Sequence, residues 1–282
     1  WLAGAFFMEE DVERAEEFYT QYSTPLQGLG LAAVGDVLFT QDNTTTSYAL
    51  YGQVDWNLTE QLTLTYGVRW AEDEKEITQN AIDLLGTAPS GVPLILPSFP
   101  APVSAEDSWS EITHKLSLAW RPSDDLMFYA TYAEGFKSGA FQSQTNLPGV
   151  AGEPVDPEIV ENIELGMKSS WWNRRLQFNL SYYDMSYDDL QVFELNSRFL
   201  LVLLNAQAES RGVEASIDVV PVENFTLSAS YNWSDATFEE FINANGLDLS
   251  DRDLPFAPDG ALTATANYRV PLDGGSALDF GL

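Results

Sequence analysis

The sequence predicts an all-β chain, an antiparallel up-and-down meander of about eleven strands. Three observations predict it. Apolar and polar residues alternate with period two over most of the chain. Short, turn-rich connections alternate with long ones. The longest apolar runs, Phe199–Leu204 and Val92–Leu96, fall far below the roughly 18 residues of a membrane-spanning helix.

The elements follow in order. The first strand is Trp1–Met8. Tyr48, Leu50, Gly52, Val54 and Trp56 then alternate with Ala49, Tyr51, Gln53 and Asp55. Leu62 to Trp70 repeats the pattern against Thr63, Thr65, Gly67 and Arg69, and Leu116, Leu118 and Trp120 repeat it against Lys115, Ser117, Ala119 and Arg121. Further alternating stretches are Leu176–Tyr182, Val213–Val219, Phe225–Trp233 and Leu262–Tyr268, and the last strand is Ala277–Leu282. Side chains of a strand point alternately to its two faces, so each stretch has one apolar and one polar face.

The connections turn this meander into a barrel wall. Asn57–Gln61, Pro122–Asp125, Ser170–Asn173, Pro221–Asn224 and Pro271–Ser276 are short and rich in turn formers. Glu9–Thr46, Asp73–Ser110, Lys137–Pro157 and Glu239–Gly260 are long. Short and long alternate, so all short turns lie at one end of the sheet, as in a transmembrane β-barrel with short periplasmic turns and long external loops. A ten-residue strand tilted by roughly 40° stands about 25 Å high, the height of the apolar band. Trp56, Trp70, Trp120, Trp171, Trp172, Trp233 and Tyr268 sit at strand ends, where interfacial girdles form. A soluble sandwich has no reason to sort its loops in this way. The stretch Glu9–Tyr22, with charges and aromatics at mixed spacing, is expected to form a short helix in the first long loop.

Composition excludes several functions. The 282 residues carry 43 Asp+Glu against 13 Lys+Arg, a net charge of -30, so a nucleic-acid partner is not expected. Without cysteine there is no thiol catalysis or Cys-ligated zinc, and a single histidine cannot make a multi-His metal centre. No Ser-His-Asp spacing, P-loop or dinucleotide glycine motif is present; no catalytic, metal or cofactor site is expected. Asp188-Asp189, and Asp248 with Asp251 and Asp253, read as solvated acidic loops. Glu9–Thr46 holds eight acids and one base, Asp73–Ser110 six and one, and Glu239–Gly260 six and one, which places the acidic excess on the external side.

Four stretches carry a family resemblance. They are Tyr129-Ala130-Thr131-Tyr132-Ala133-Glu134-Gly135-Phe136-Lys137-Ser138-Gly139-Ala140-Phe141; Pro157-Glu158-Ile159-Val160-Glu161-Asn162-Ile163-Glu164-Leu165-Gly166-Met167-Lys168; Tyr182 to Val192; and Asn205 to Glu214. In order and spacing the chain resembles the middle of the β-barrel of TonB-dependent outer-membrane receptors. The resemblance implies about 11 strands of a 22-stranded barrel, residues 1–282 being one partial barrel domain. It implies an N-terminal plug and a TonB box, neither present in this sequence, and a place in the outer membrane of a Gram-negative bacterium. The implied activity is energised uptake of a scarce ligand, most often a ferric siderophore. The implied partners are outer-membrane lipid, the plug and, through it, TonB. Both ends fall within strand patterns, so the chain is expected to be a fragment. The alternatives are a passive porin-type channel and a soluble glycan-binding β-sandwich.

Polar faces are expected to point into the lumen, because Arg or Lys facing lipid at mid-depth costs roughly 2–4 kcal/mol. Arg69, Lys115, Arg121, Glu164, Glu214, Asp218 and Arg269 lie on such faces, and Asn162, Glu164 and Lys168 share one. Ion pairs across the wall are the expected arrangement. Phe136-Lys137-Ser138-Gly139-Ala140-Phe141 is expected at the external rim, and His114 at the outer interface or the pore rim. Candidate ligand contacts are Arg69, Lys115, Phe136, Lys137, Tyr183 and Asn232.

Overall fold

The computed structural model describes residues 1–21, 34–85, 99–142, 149–195 and 201–282. Eleven strands form one antiparallel sheet: β1 (Leu2–Gln21), β2 (Val34–Asn57), β3 (Leu62–Asp83), β4 (Val103–Ser123), β5 (Leu126–Lys137), β8 (Glu158–Trp171), β9 (Leu176–Leu195), β10 (Leu201–Val222), β11 (Phe225–Glu240), β12 (Gly260–Pro271) and β13 (Ala277–Gly281). Each strand pairs with its sequence neighbour, as a meander requires. The exception is the short hairpin of β6 (Ala140–Phe141) and β7 (Pro154–Val155), inserted between β5 and β8. Among the described residues no helix is long and apolar enough to cross a membrane.

The register sorts the side chains into rows around the wall. One row runs Trp56, Leu64, Leu118, Ala130, Leu165, Tyr182, Val213, Trp233. The row beside it, on the opposite face, runs Asp55, Thr65, Ser117, Thr131, Glu164, Tyr183, Gly212, Ser234. No protein covers the apolar row: Leu118 is 40% exposed and Leu165 52%. A contiguous apolar face of this size suits lipid, not water. The polar row is hydrogen-bonded from strand to strand, with Thr65 Oγ1 donating to Asp55 (2.7 Å) and the Ser117 and Thr131 hydroxyls 2.8 Å apart.

All five predicted short turns occur, at one end of the sheet. Three of them need left-handed backbone: one at Asn173 (φ 56°), one at Asn224 (φ 64°) and one at Gly274 and Gly275 (φ 81° and 82°), a region that glycine adopts freely and asparagine tolerates better than most side chains.

The long loops are shorter than the sequence reading placed them. β1 and β2 run as a continuous ladder through most of Glu9–Thr46, and β3 and β4 through much of Asp73–Ser110. The expected helix at Glu9–Tyr22 is strand as far as Gln21; Tyr22 lies outside the described residues. The reason is that above the lipid belt the outward face meets water in place of lipid, while connections cover part of the inner face. Period-two hydropathy vanishes there, while the backbone ladder continues, helped by the β-branched Thr44-Thr45-Thr46. The outward face of β3 marks the change, passing from Tyr66, Val68 and Trp70 to Glu72, Glu74 and Glu76. The acidic excess therefore rests largely on strand extensions.

Among the described residues two buried apolar clusters lie at the outer end. One cluster joins Val37, Ala81, Phe99 and Ala151; a second joins Ala206, Ala208, Phe238 and Phe241. Ala151 brings the β5–β8 connection into the first, and residues of the β11–β12 connection, Leu249 and Leu254, pack on the second.

Candidate functional site

Two grooves lie on the polar face among the described residues. The larger, about 450 Å³, spans β5 and β8 to β12 and is lined by Tyr129, Glu164, Lys168, Glu214 and Asn232 among others. Register brings these together: Tyr129 lies opposite Gly166, Gly166 opposite Ser181, Ser181 opposite Glu214, and Glu214 opposite Asn232. Tyr129 donates its hydroxyl to Glu164, and Lys168 Nζ stands 5.7 Å from the Tyr129 ring centroid. Asn232 Nδ2 donates to Glu214 Oε1 (3.1 Å), and Ser228 Oγ to Asp218 (2.5 Å).

The smaller groove, about 250 Å³, lies on β1 to β4 and contains Arg69 and Lys115 with Tyr51. The Arg69 guanidinium sits 6.0 Å from the ring centroids of both Phe6 and Tyr51. Among the described residues neither Arg69 nor Lys115 is within ion-pair distance of a carboxylate.

Glycines shape this inner wall. Tyr129 faces Gly166, Tyr183 faces Gly212 and Tyr51 faces Gly4 in directly opposed pairs. A Cβ on Gly166 would collide with the Tyr129 ring, so the glycine lets the tyrosine lie flat across its neighbour strand.

A single-sheet meander with a lipid-facing row, a hydrogen-bonded inner row and sorted loops has a match among known families. The family described as TonB-dependent receptor-like, β-barrel, matches residues 4–281. The chain belongs to this family. Such receptor barrels sit in the bacterial outer membrane, and the apolar row is the surface that meets its lipid.

A curated relative, the pesticin receptor of Yersinia pestis, is 24% identical over 221 residues, covering 76% of this chain and 29% of its own length. The solved ferric yersiniabactin uptake receptor FyuA of Yersinia pestis superposes with a TM-score of 0.69 at 17% identity, covering 98% of this chain and 38% of that one. The siderophore receptor PiuA of Acinetobacter baumannii gives 0.64 at 16% identity, covering 94% and 40%. The chain thus spans less than half the length of these relatives. The two likenesses to solved structures establish the fold, which sets aside the soluble sandwich; the family match sets aside the porin.

In this TonB-dependent receptor wall the predicted residues separate. Arg69 and Lys115 share one groove, and Asn232 lines the other. Tyr183 lies flat over Gly212 beside the larger groove. Phe136 and Lys137 end β5 at the outer rim, with Lys137 Nζ 3.3 Å from Glu158. The expected network of wall-spanning ion pairs is replaced on β8 to β11 by hydrogen bonds: Glu164, Glu214 and Asp218 are held by Tyr, Asn and Ser, which need no buried charge partner. Lys137–Glu158 and Arg269–Asp279 (3.8 Å) are the inter-strand pairs on the polar face among the described residues. His114 faces outward, its Nδ1 2.9 Å from the Tyr66 hydroxyl and its backbone N–H donating to Glu134 (2.8 Å).

The sequence reading does not single out Tyr129, Lys75 or Gln142. For Tyr129 the signal was Gly166, a polar-phase glycine on the next strand. Lys75 lies on the inner face above the lipid belt, donating to Gly139 O (2.8 Å) with its Nζ 5.7 Å from the Trp109 ring centroid. Burial lowers its pKa; Asp73 opposes that and Lys137 adds to it. No local signal marks Gln142.

Proposed function

We propose that this chain is the wall of a receptor that takes up a scarce iron complex, a ferric siderophore or a similar species, with energy delivered by TonB. The family match over residues 4–281 is the observation that carries the reading. Two of the relatives named above are described by the ferric yersiniabactin or siderophore they take up. In this reading residues 1–282 form one partial barrel domain, outer-membrane lipid covers the apolar face, and a plug, with TonB acting through it, completes the machine. The chain captures and passes a ligand and carries out no catalysis.

Arg69 and Lys115 support the reading. They hold positive charge, free of carboxylate partners among the described residues, inside a chain of net charge -30. That suits an anionic ferric complex, or an acidic residue of the plug. Phe136 and Lys137 at the rim, and Tyr183 and Asn232 along the wall, are the further candidate contacts.

The test is deletion of the full-length gene, followed by growth in iron-chelated medium with ferric yersiniabactin, a ferric catecholate or ferric alcaligin supplied singly. Loss of growth on one of them, restored by the gene and abolished without TonB, is the expected result. Unchanged growth on all, with a TonB-deleted strain also unaffected, sinks the reading.

A further inference from the structure

The described parts of the β5–β8 connection, 138–142 and 149–157, are held to two separate parts of the wall. On one side they are fastened to β3 and β4. Lys75 donates to Gly139 O, and Gln79 Nε2 donates to Gln142 O (2.8 Å). Phe141 packs edge-on against Trp109, with ring centroids 5.6 Å apart, and a Cβ on Gly139 would strike the same indole. On the other side they are fastened to β9 and β10. Gln191 Nε2 donates to Ser138 O (3.0 Å) and Asp156 O (3.1 Å). Asn205 Oδ1 accepts from Asp156 N (3.0 Å) and its Nδ2 donates back to Asp156 O (3.1 Å).

Gln142 joins the two sides. Its main-chain oxygen serves β3, while its side-chain amide serves β10, donating to Leu203 O (2.5 Å) and accepting from Leu203 N (2.9 Å). β3 and β10 lie five strand steps apart in the sheet. Gln142 is only 8% exposed, and all of these groups find partners. Beneath the connection the inner-face residues Ile77, Gln79 and Ala81 are buried, in contrast to the open inner wall nearer the short turns.

We propose that Gln142 is a positioning residue that fixes the described parts of this connection, 138–142 and 149–157, as a standing strap across the outer mouth, so that ligand passes beside them and they do not swing as a lid. Swinging would strip several buried amides of their partners at once, each loss costing far more than an exposed bond. The inference rests on the receptor reading for its outward location only.

The chain has no cysteine, so single reporters are clean within it. The experiment uses the full-length receptor in intact cells and a membrane-impermeant maleimide. Ala151→Cys reports from the strap's own buried side, where Ala151 is 7% exposed and packs with Val37, Ala81 and Phe99; Asn245→Cys reports from an exposed turn. The expected result is slow labelling at position 151, accelerated about tenfold or more by Gln142→Ala and less by Gln142→Glu, which keeps the length but loses the donor. Labelling at position 245 should not change. Hydrogen exchange at the Leu203 amide, in the cysteine-free chain, should accelerate in parallel.

Labelling at position 151 as fast as at 245 with Gln142 intact overturns the standing strap. Equal, slow rates with and without Gln142 overturn its positioning role. An Asn245→Cys reporter that reacts only after lysis overturns the receptor's orientation instead, and the same comparison in lysed cells still decides the strap.

Discussion

Along β3 the outward face reads Tyr66, Val68, Trp70 and then Glu72, Glu74, Glu76, while the backbone ladder to β2 and β4 runs on unbroken. The two halves of one strand are held differently. In the lower half the apolar face has lipid as its solvent, and the inner face is tied by Tyr, Ser, Thr and Asn hydrogen bonds between strands. In the upper half the outward face is acidic and wet, and cohesion comes from small buried clusters under inward-folded connections. The lower half therefore tolerates loss of contacts among its side chains but not charge on its outer face; the upper half has the opposite sensitivities.

The largest expected effect breaks that contrast directly. Leu165→Arg, on the lipid face near mid-depth, should destabilise the folded barrel by roughly 2–4 kcal/mol. Glu76→Arg, on the same kind of face above the belt, should change stability by no more than about 0.5 kcal/mol. Denaturant titration of the full-length receptor in lipid vesicles measures both; equal effects would remove the belt boundary at Trp70.

Next comes the inner wall. Gly166→Ala should cost about 1–3 kcal/mol, because the new methyl meets the Tyr129 ring. Adding Tyr129→Ala should recover much of that cost in a double-mutant cycle, since the atoms nearest the new methyl all belong to Tyr129. Additive losses would show that the glycine serves the backbone and not the ring.

Smaller still is the rim. Lys137→Ala removes an ion pair whose lysine is 58% exposed, and should cost under about 1 kcal/mol by the same titration, less at high salt. The smallest effect is one of pH, at the upper end of β9. Burial, with Asp156 and Asp188 nearby, raises the pKa of Asp189 above its ordinary 3.8. A raised carboxyl binds its proton more tightly in the folded state. Its contribution to stability is present below pH 3.8 and is lost as pH rises through the raised value. Asp189→Asn should flatten that part of the pH–stability curve; an unchanged slope in thermal unfolding would assign the dependence elsewhere.

Legibility in the sequence followed the same boundary. The lower halves of the strands were readable because lipid on one side and polar lumen on the other force period two, and all five short turns were readable from Pro, Asn, Asp and Ser. The extensions Glu9–Gln21 and Lys75–Asp83 read as loop or helix in the sequence, because an outward face in water carries no apolar row and the period fades without ending the ladder. Arg69 and Lys115 were readable as inner-face cations. That they share one groove, with Arg69 between Phe6 and Tyr51, was not, since it depends on the register of β1, β2, β3 and β4.

The sequence by itself determined which residues face lipid, which face the lumen, and at which end the connections are short, because each is a local consequence of alternation and turn chemistry. Only the tertiary structure decided that Tyr129 would satisfy Glu164, that the strands would continue into water, and that Gln142 would reach Leu203. Those contacts join residues 35 and 61 positions apart, and nothing in either segment encodes its distance to the other until the sheet's register and curvature bring them together.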